Sequence, residues 1–398
     1  MTSPTQSESS RFSFKNLMAV PGRPKVDFDT HHARQMLDLG LSITDVAHHF
    51  GVSRPTVYRS LRLSHPEALK RFTDISDEAL RVLVQEVNDS HPNAGEVYLM
   101  GHLRSRNIKV QRSRLRDALH LVDPEGVERR KRKTVTRRVY SVPCPNFLWH
   151  IDGTHKLIRW KFVIHAAIDG FSRLIPYLHC STNNRSITVL HLFESAVQQY
   201  GFPLRVRSDH GGENQKVWEA MIRERGEESR PVIVGSSVHN ERVERLNYDI
   251  NQQVVSVFKQ LFFDLEEEGI LDADNSTDLF CLHYTFLPQI NQHLQEFRAA
   301  HNSHSISTER NRTPVQLFFQ NHHLIQLHSN HEDPHPGILA DELLQRGDLR
   351  QVNVDSIGSP LSQQQLGTLD ELVQTFPLTM DSKAKYRRIS SFVADQLF

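Results

Sequence analysis

Cysteine is scarce in this sequence, with three residues among 398, and no long apolar run is present. Cys144, Cys180 and Cys281 lie far apart and form no Cys-X-X-Cys pair, which argues against a disulfide framework and a structural zinc site and favours a reduced, intracellular protein. No apolar run reaches the roughly 18–20 residues of a membrane span. The polar start, MTSPTQSESS, lacks the apolar segment of a signal peptide.

Excess charge of either sign is also missing, since 47 basic residues balance 47 acidic ones. The balance hides a division along the chain. Residues 1–145 contain 24 Lys and Arg against 16 Asp and Glu, whereas residues 146–398 contain 23 against 31. A basic first part joined to an acidic remainder predicts a nucleic-acid-binding module attached to something else, and the length allows two or three domains.

The first structured segment predicted is a helix-turn-helix unit over residues 26–65, after a Ser- and Pro-rich stretch, 1–25, expected to be disordered. In SITDVAHHFGVSRPTVYRSL, Ala47 is small enough for two helices to touch and Gly51 suits a turn with positive φ. Ser53 is placed to cap the second helix. An ordinary three-helix packing unit is the alternative. The residues expected to contact DNA from the second helix are Arg54, Thr56, Tyr58, Arg59 and Arg62.

A second, looser helix-turn-helix-like unit is predicted over residues 75–122. Its third helix contains Arg112, Arg114 and Arg116, which are expected to contact DNA. Residues 123–145 form a basic linker with the run VERRKRKTVTRR. Such a run is usually solvated, can contact phosphates, and can act as a nuclear-localisation signal, so a nuclear location is expected if the source is eukaryotic.

From Asn146 the hydrophobic period becomes strand-like, and the order of elements is β-β-β-α-β-α-β-α. This order predicts an α/β domain over residues 146–325, with a mixed five-stranded sheet and helices on its faces. Asp169-Gly170 is typical of a hairpin turn. Residues 326–398 mix weak patterns and receive no role.

Two carboxylates fall at strand ends in this scheme. Asp152 ends the first strand and Asp209 ends the fourth, and those strands can be neighbours. Two close carboxylates repel each other unless they share a cation, and a hard divalent ion such as Mg²⁺ is the natural partner. A third carboxylate from a crossing helix would complete a two-metal site for phosphoryl transfer.

Four motifs in order resemble the D,D,E family of retroviral integrases and insertion-sequence transposases: WHIDGTHKL, RSDHGGEN, HNERVERLN and NRTPVQLF. The chain is most similar to eukaryotic transposon relatives of the bacterial enzymes, or to host genes derived from them. The resemblance implies an RNase H-like fold and two Mg²⁺ ions, replaceable by Mn²⁺, held by Asp152, Asp209 and Glu244. It also implies hydrolysis at an element's DNA end, strand transfer into target DNA, and a homo-oligomer assembled on that DNA.

Several assignments stay open at this point. Glu241 shares a helix face with Glu244 and is the alternative third ligand. Lys156, Arg242 and Arg245 are expected to contact DNA, because Tyr248 and Asn251 stand where many relatives have basic residues. Glu213 is expected on the loop rim. A catalytically idle, domesticated DNA-binding protein is the alternative to an active transposase or integrase.

Overall fold

The computed structural model describes most of the chain in two compact units, Met1–Lys70 and Arg71–Phe398. The residues described are 27–129, 142–235, 241–327, 338–339, 352–377 and 379–397. The predictions for residues 1–25 and for most of the basic linker therefore lie outside the described residues.

The first unit contains helices α1 (Thr30–Asp38), α2 (Ile43–His49) and α3 (Arg54–Ser64). Ala47 is buried between helices, and Gly51 adopts φ +63° in the turn, which a residue with a side chain rarely does. The Ser53 hydroxyl accepts from the Thr56 amide and so caps α3. The turn therefore has the geometry that the sequence predicts.

Four helices open the second unit: α4 (Asp77–Ser90), α5 (Glu96–Ser105), α6 (Arg112–Val122) and α7 (Pro124–Arg129). They enclose their own small core around Leu80, Val84 and Leu115. α5 also crosses the long helix α12 (Ser276–Ser303), and a Cβ placed on Gly101 would lie 2.2 Å from the Ala300 carbonyl oxygen. The helical module is thereby packed directly against the rest of its unit.

The sheet has the strand order β3-β2-β1-β4-β5-β6. β1 pairs antiparallel with β2 and parallel with β4, so the sheet is mixed, and the predicted RNase H-like fold is confirmed. A sixth strand of two residues pairs antiparallel with β5 and was not predicted. The strands are β1 (Leu148–Thr154), β2 (Val163–Asp169), β3 (Leu178–Ser181), β4 (Arg205–Ser208), β5 (Val232–Val234) and β6 (Ile338–Leu339).

β2 and β3 pair antiparallel, as the hairpin predicted at Asp169-Gly170 requires, and the connection between them runs to Leu178. Asp169 is fully buried, and its carboxylate accepts from the Ser172 amide and hydroxyl and from the Asn146 amide. Burial raises the pKa of Asp169 to about 6, although these donors oppose the shift. Asp169 therefore organises the turn, away from the acids discussed below.

Helices cover both faces of the sheet. On one face, Trp149 and Val206 pack with Phe193 and Trp218 of the helices that follow β3 and β4. The other face packs against α12 and the last two helices, which join the same core. In the described residues, no helix has the length and apolarity to cross a membrane. The covering helices are α8 (Ser186–Tyr200), α9 (Gln215–Arg225), α10 (Glu241–Ile250), α11 (Ser256–Glu267), α12, α13 (Pro314–Asn321), α14 (Gln363–Gln374) and α15 (Ser382–Leu397).

Candidate active site

The register of two parallel strands brings the first two acids together. Leu148 pairs with Arg205, and His150 pairs with Arg207. Continued by two residues, the same register sets Asp152 opposite Asp209, just past the end of β4. The strand pattern predicts both residues at neighbouring strand ends, and the structure puts them side by side.

Asp152 is held by two donors. The Asn247 side-chain amide on α10 donates to Oδ2 at 2.7 Å, and the Gly153 amide donates to Oδ1 at 2.9 Å. Burial and, next, the charge of Asp209 raise the pKa of Asp152 to about 7, against the effect of these two hydrogen bonds. Ionised Asp152 is therefore electrostatically strained, and a cation at this position would relieve the strain.

Asp152→Asn is expected to stabilise the metal-free protein at pH 8 by roughly 2–4 kcal/mol, because it removes a carboxylate whose folded pKa is raised from 3.8 to about 7. The free-energy cost of ionising Asp152 in the folded protein is absent below the pKa of the unfolded state. This cost grows with pH until the pH passes the pKa of the folded state. The gain should accordingly fall by about half at pH 5. Urea unfolding in EDTA, followed by the fluorescence of the three tryptophans, measures it. Glu219→Gln, an exposed change on α9, is the matched control, and equal stability of wild type and Asp152→Asn at pH 8 would contradict the prediction.

Glu244 lies on α10, the helix that also carries Asn247. It is exposed, and in the described residues its carboxylate has no hydrogen-bond or ion-pair partner. Asn247, one helical turn later, occupies the position nearest Asp152. Sequence reasoning missed Asn247, although its three-residue spacing from Glu244 signals a shared helix side. The side chain of Glu241 lies outside the described residues, so the choice between it and Glu244 stays a prediction.

The prediction that Glu213 lies on the loop rim is wrong. Its side chain is 5% exposed and lies inside the site. Its carboxylate accepts from the Asn184 side-chain amide at 3.3 Å. A Cβ on Gly153 would lie 3.6 Å from Glu213 Oε1, so this third carboxylate sits beside the residue that follows Asp152. Burial, followed by the charge of Asp209, raises the pKa of Glu213.

His155 and Lys156, which follow β1, differ in their surroundings. Lys156 is exposed. His155 is half-buried, and its Nε2 has no hydrogen-bond partner in the described part of the chain. Burial lowers the pKa of His155, while the charge of Asp209 opposes the shift. His155 thus presents a neutral imidazole near the acids.

The arginines predicted for DNA contact are placed unevenly. On α3, Arg54, Arg59 and Arg62 are exposed, Tyr58 is 48% exposed, and the Thr56 hydroxyl bonds to Ser53. On α6, Arg112 and Arg116 both pair with Glu96, and Arg114 pairs with Asp77. On α10, Arg242 is half-buried, and Arg245 pairs with Asp249 at 2.9 Å and lies over the Tyr248 ring. The α6 arginines are therefore partly neutralised within the protein.

The donor set suits a hard divalent ion. Asp152, Asp209, Glu213 and Glu244 offer carboxylate oxygens, and Asn247 offers a buried Oδ1 that has no hydrogen-bond partner among the described residues. Within the same residues, no three His, Cys, Asp or Glu side chains converge closely enough to hold a metal as they stand. A third oxygen would have to come from Asn247 or, after a side-chain rotation, from Glu213 or Glu244.

Comparisons with known proteins identify two segments. Residues 139–332 match the family of the integrase core domain, and residues 22–63 match the helix-turn-helix domain of resolvase. No curated protein matches the chain.

Solved structures also match, at low identity. The HTLV-2 integrase catalytic core domain in complex with magnesium, trimeric form, is 19% identical with a TM-score of 0.29, over 44% of this chain and 97% of that one. The dimeric form is 18% identical with a TM-score of 0.28 over the same shares, 44% and 97%. A simian T-cell lymphotropic virus intasome in complex with PP2A regulatory subunit B56 gamma is 15% identical with a TM-score of 0.34, over 64% of this chain and 75% of that one.

Proposed function

We propose that this chain, which carries an integrase core domain and a resolvase-type helix-turn-helix domain, is a metal-dependent DNA transposase or integrase. The observation that carries the proposal is the register that sets Asp152 opposite Asp209 on adjacent parallel strands. Asp152, Asp209 and Glu244 are the proposed catalytic carboxylates, with two Mg²⁺ ions, or Mn²⁺, as cofactor. The proposed reaction is hydrolysis of a phosphodiester at an element's end, followed by attack of the freed 3′-hydroxyl on target DNA.

The residues of the site fit such ions by their chemistry. All candidate ligands are oxygens, and burial, together with the charge of Asp209, raises the pKa of Asp152 and of Glu213. When bound, the metal ions would activate the attacking hydroxyl and stabilise charge on the leaving oxygen.

The protein's own groups would orient and position. Asn247 and the Gly153 amide fix the Asp152 carboxylate, and the Gly211 amide donates to Asp209 Oδ1 at 3.1 Å. Glu244 can turn toward Asp152 because it lies one helical turn from Asn247 and is tied to no described partner. Two acids would thus be preset and the third mobile until DNA arrives.

DNA contact is proposed for α3, through Arg54, Thr56, Tyr58, Arg59 and Arg62, and beside the site for Lys156, Arg242 and Arg245. The first set would read an element's end, and the second would hold the phosphate backbone near the acids. Assembly of several copies on transposon ends and target DNA is part of the same proposal.

Nicking of a supercoiled plasmid tests the proposed function. Purified wild type is expected to nick with Mg²⁺ or Mn²⁺ and to stop in EDTA, and Asp209→Asn should lose about 100-fold or more of the rate, as when an electrostatic group is removed at a developing charge. Glu219→Gln, which removes an exposed acid from α9, should nick like wild type. Plasmids carrying candidate terminal repeats belong in the assay, because synapsis of two ends can be required.

One observation favours a second function. Glu244 is exposed, and Asn247 instead faces Asp152, an arrangement that also suits a DNA-binding protein without catalysis. If wild type and Asp209→Asn are equally silent on every plasmid while both bind DNA, the idle, domesticated binder is the better description.

A further inference from the structure

A groove of about 520 Å³ opens in the helical module of the second unit, away from the acids. This arginine groove is defined by Arg71, Phe72, Arg104, Arg112 and Ser113. Of these residues, only Arg112 belongs to the set predicted from sequence to contact DNA. The groove is therefore a feature that the tertiary structure creates.

Two fixed contacts build this groove. The Thr73 amide donates to the Lys109 carbonyl at 2.7 Å, and the Lys109 amide donates to the Thr73 hydroxyl at 2.9 Å. These bonds hold the Arg71-Phe72 segment against the start of α6. On the opposite side, the close crossing of Gly101 and Ala300 places Ser305, just after α12, on the wall. The groove is thus preformed by packing.

Its floor and rim differ in chemistry. Val97, Met100 and Val110 supply apolar surface at the bottom. On the rim, the Phe72 ring is 38% exposed and lies under the Arg71 guanidinium at 5.2 Å. Apolar surface below charged groups fits a ligand that combines sugar or base with phosphate.

The rim carries an excess of positive charge. Arg112 and Arg116 both form ion pairs with Glu96, so the three side chains together keep one positive charge. Arg71 and Arg104 have no carboxylate partner among the described residues. Arg104 is exposed overall. Partial desolvation of its guanidinium lowers its pKa, and no described carboxylate offsets that desolvation. An anion in the groove would supply the missing countercharge.

We infer that the arginine groove binds the sugar–phosphate backbone of a DNA strand, with phosphates at Arg71, Arg104 and Arg112 and a sugar or base over the Phe72 ring. This inference rests on the proposed function, since it names a second DNA contact for the same protein. A chain of phosphates suits several arginines spread around an open groove better than a single small anion does.

Fluorescence anisotropy with a labelled DNA duplex of arbitrary sequence, about 30 base pairs long, added to the full chain in EDTA, tests the inference. Arg104→Ala should weaken binding about 3- to 10-fold at low salt and lower the slope of log K against log salt by about one. Arg106→Ala is the matched control. Arg106 lies two residues after Arg104, carries the same charge, and forms an ion pair with Glu86 outside the groove lining. Thermal unfolding of both variants checks that they fold.

A second variant separates loss of binding from loss of fold. Ser113→Glu puts a negative charge on the rim, in the first turn of α6, where an acidic residue favours the helix. It should weaken binding while leaving the thermal midpoint unchanged or higher. Binding by Arg104→Ala and Ser113→Glu equal to wild type overturns the inference, and so does an equal loss in Arg104→Ala and Arg106→Ala.

This binding test is independent of catalysis. The binding assay contains EDTA, so its outcome does not depend on whether the wild type is active in the nicking assay. Conversely, if Asp209→Asn abolishes nicking but the groove variants bind normally, the proposed function stands and the groove inference fails.

Discussion

Gly101→Ala is expected to destabilise the second unit by about 2 kcal/mol, although alanine is the better helix former by about 1 kcal/mol. The added Cβ would lie 2.2 Å from the Ala300 carbonyl oxygen, and this atom belongs to the backbone of α12, so it cannot simply rotate away. The α5–α12 crossing would have to open. That would loosen the helical module and widen the arginine groove.

Gly367→Ala provides the matched control. Gly367 lies in α14, and a Cβ there meets no atom within 4 Å. The same substitution should therefore raise stability by up to about 1 kcal/mol at this position. Chemical unfolding and limited proteolysis compare the two variants. An equal rise in stability for both would show that the crossing tolerates a methyl group.

Mild acid is expected to destabilise the second unit, because several of its histidines are buried in the neutral form. Burial lowers the pKa of His102 to about 3 and that of His165 to about 4, and burial also holds the pKa of His301 well below its ordinary value. His102 stacks on His91, which bonds to Glu296 at 3.0 Å, and it also faces His293 and Arg106.

The direction of this pH dependence follows from the protons that the histidines take up on unfolding. Unfolded histidines bind protons below about pH 6.5, whereas these buried ones do not until their folded pKa values are reached. The contribution of these histidines to stability therefore falls as pH drops below 6.5, by about 1.4 kcal/mol per pH unit for each one, or about 4 kcal/mol per unit for three. Protonation of Asp152 and Asp169, whose pKa values are raised to about 7 and about 6, offsets part of this loss. The loss of stability due to His165 stops growing near pH 4, and the loss due to His102 stops growing near pH 3.

Urea unfolding between about pH 4.5 and 7.5 measures this slope. His102→Gln should reduce the slope by about one proton, whatever it does to stability at neutral pH. His120→Gln, on the exposed side of α6, should leave the slope unchanged. A slope that is the same in wild type and His102→Gln would mean that His102 is already protonated in the folded protein.

The juxtaposition of Asp152 and Asp209 could be predicted because it depends on local patterns. Each acid directly follows an apolar, strand-like run, and strand order limits which ends can meet. The orientation of α10 could not be predicted in the same way. Glu244 and Asn247 are one turn apart, so a small rotation of the helix decides which faces Asp152, and packing of Val243, Leu246 and Ile250 sets that rotation.

Other misses have the same tertiary origin. The sequence pattern predicts Glu213 as a loop residue, yet the absence of side chains at Gly153 and Gly211 leaves room for its carboxylate inside the site. The helix pattern that places Arg114 on α6 likewise gives no sign that Asp77 of α4 lies within hydrogen-bond distance. Gly153 and Asp77 are distant in sequence from Glu213 and Arg114, so no periodicity could have indicated these contacts.

Residues 363–397 show what a weak local pattern can conceal. Leu369, Tyr386, Ile389 and Val393 are buried in the same core as Phe286 of α12. During synthesis, α12 leaves the ribosome before these side chains emerge. The apolar face of α12 therefore stays uncovered while the roughly 60 residues between Ser303 and Gln363 are made, and a chain that lacks residues 363–397 is left with an unfinished core open to chaperones and proteases.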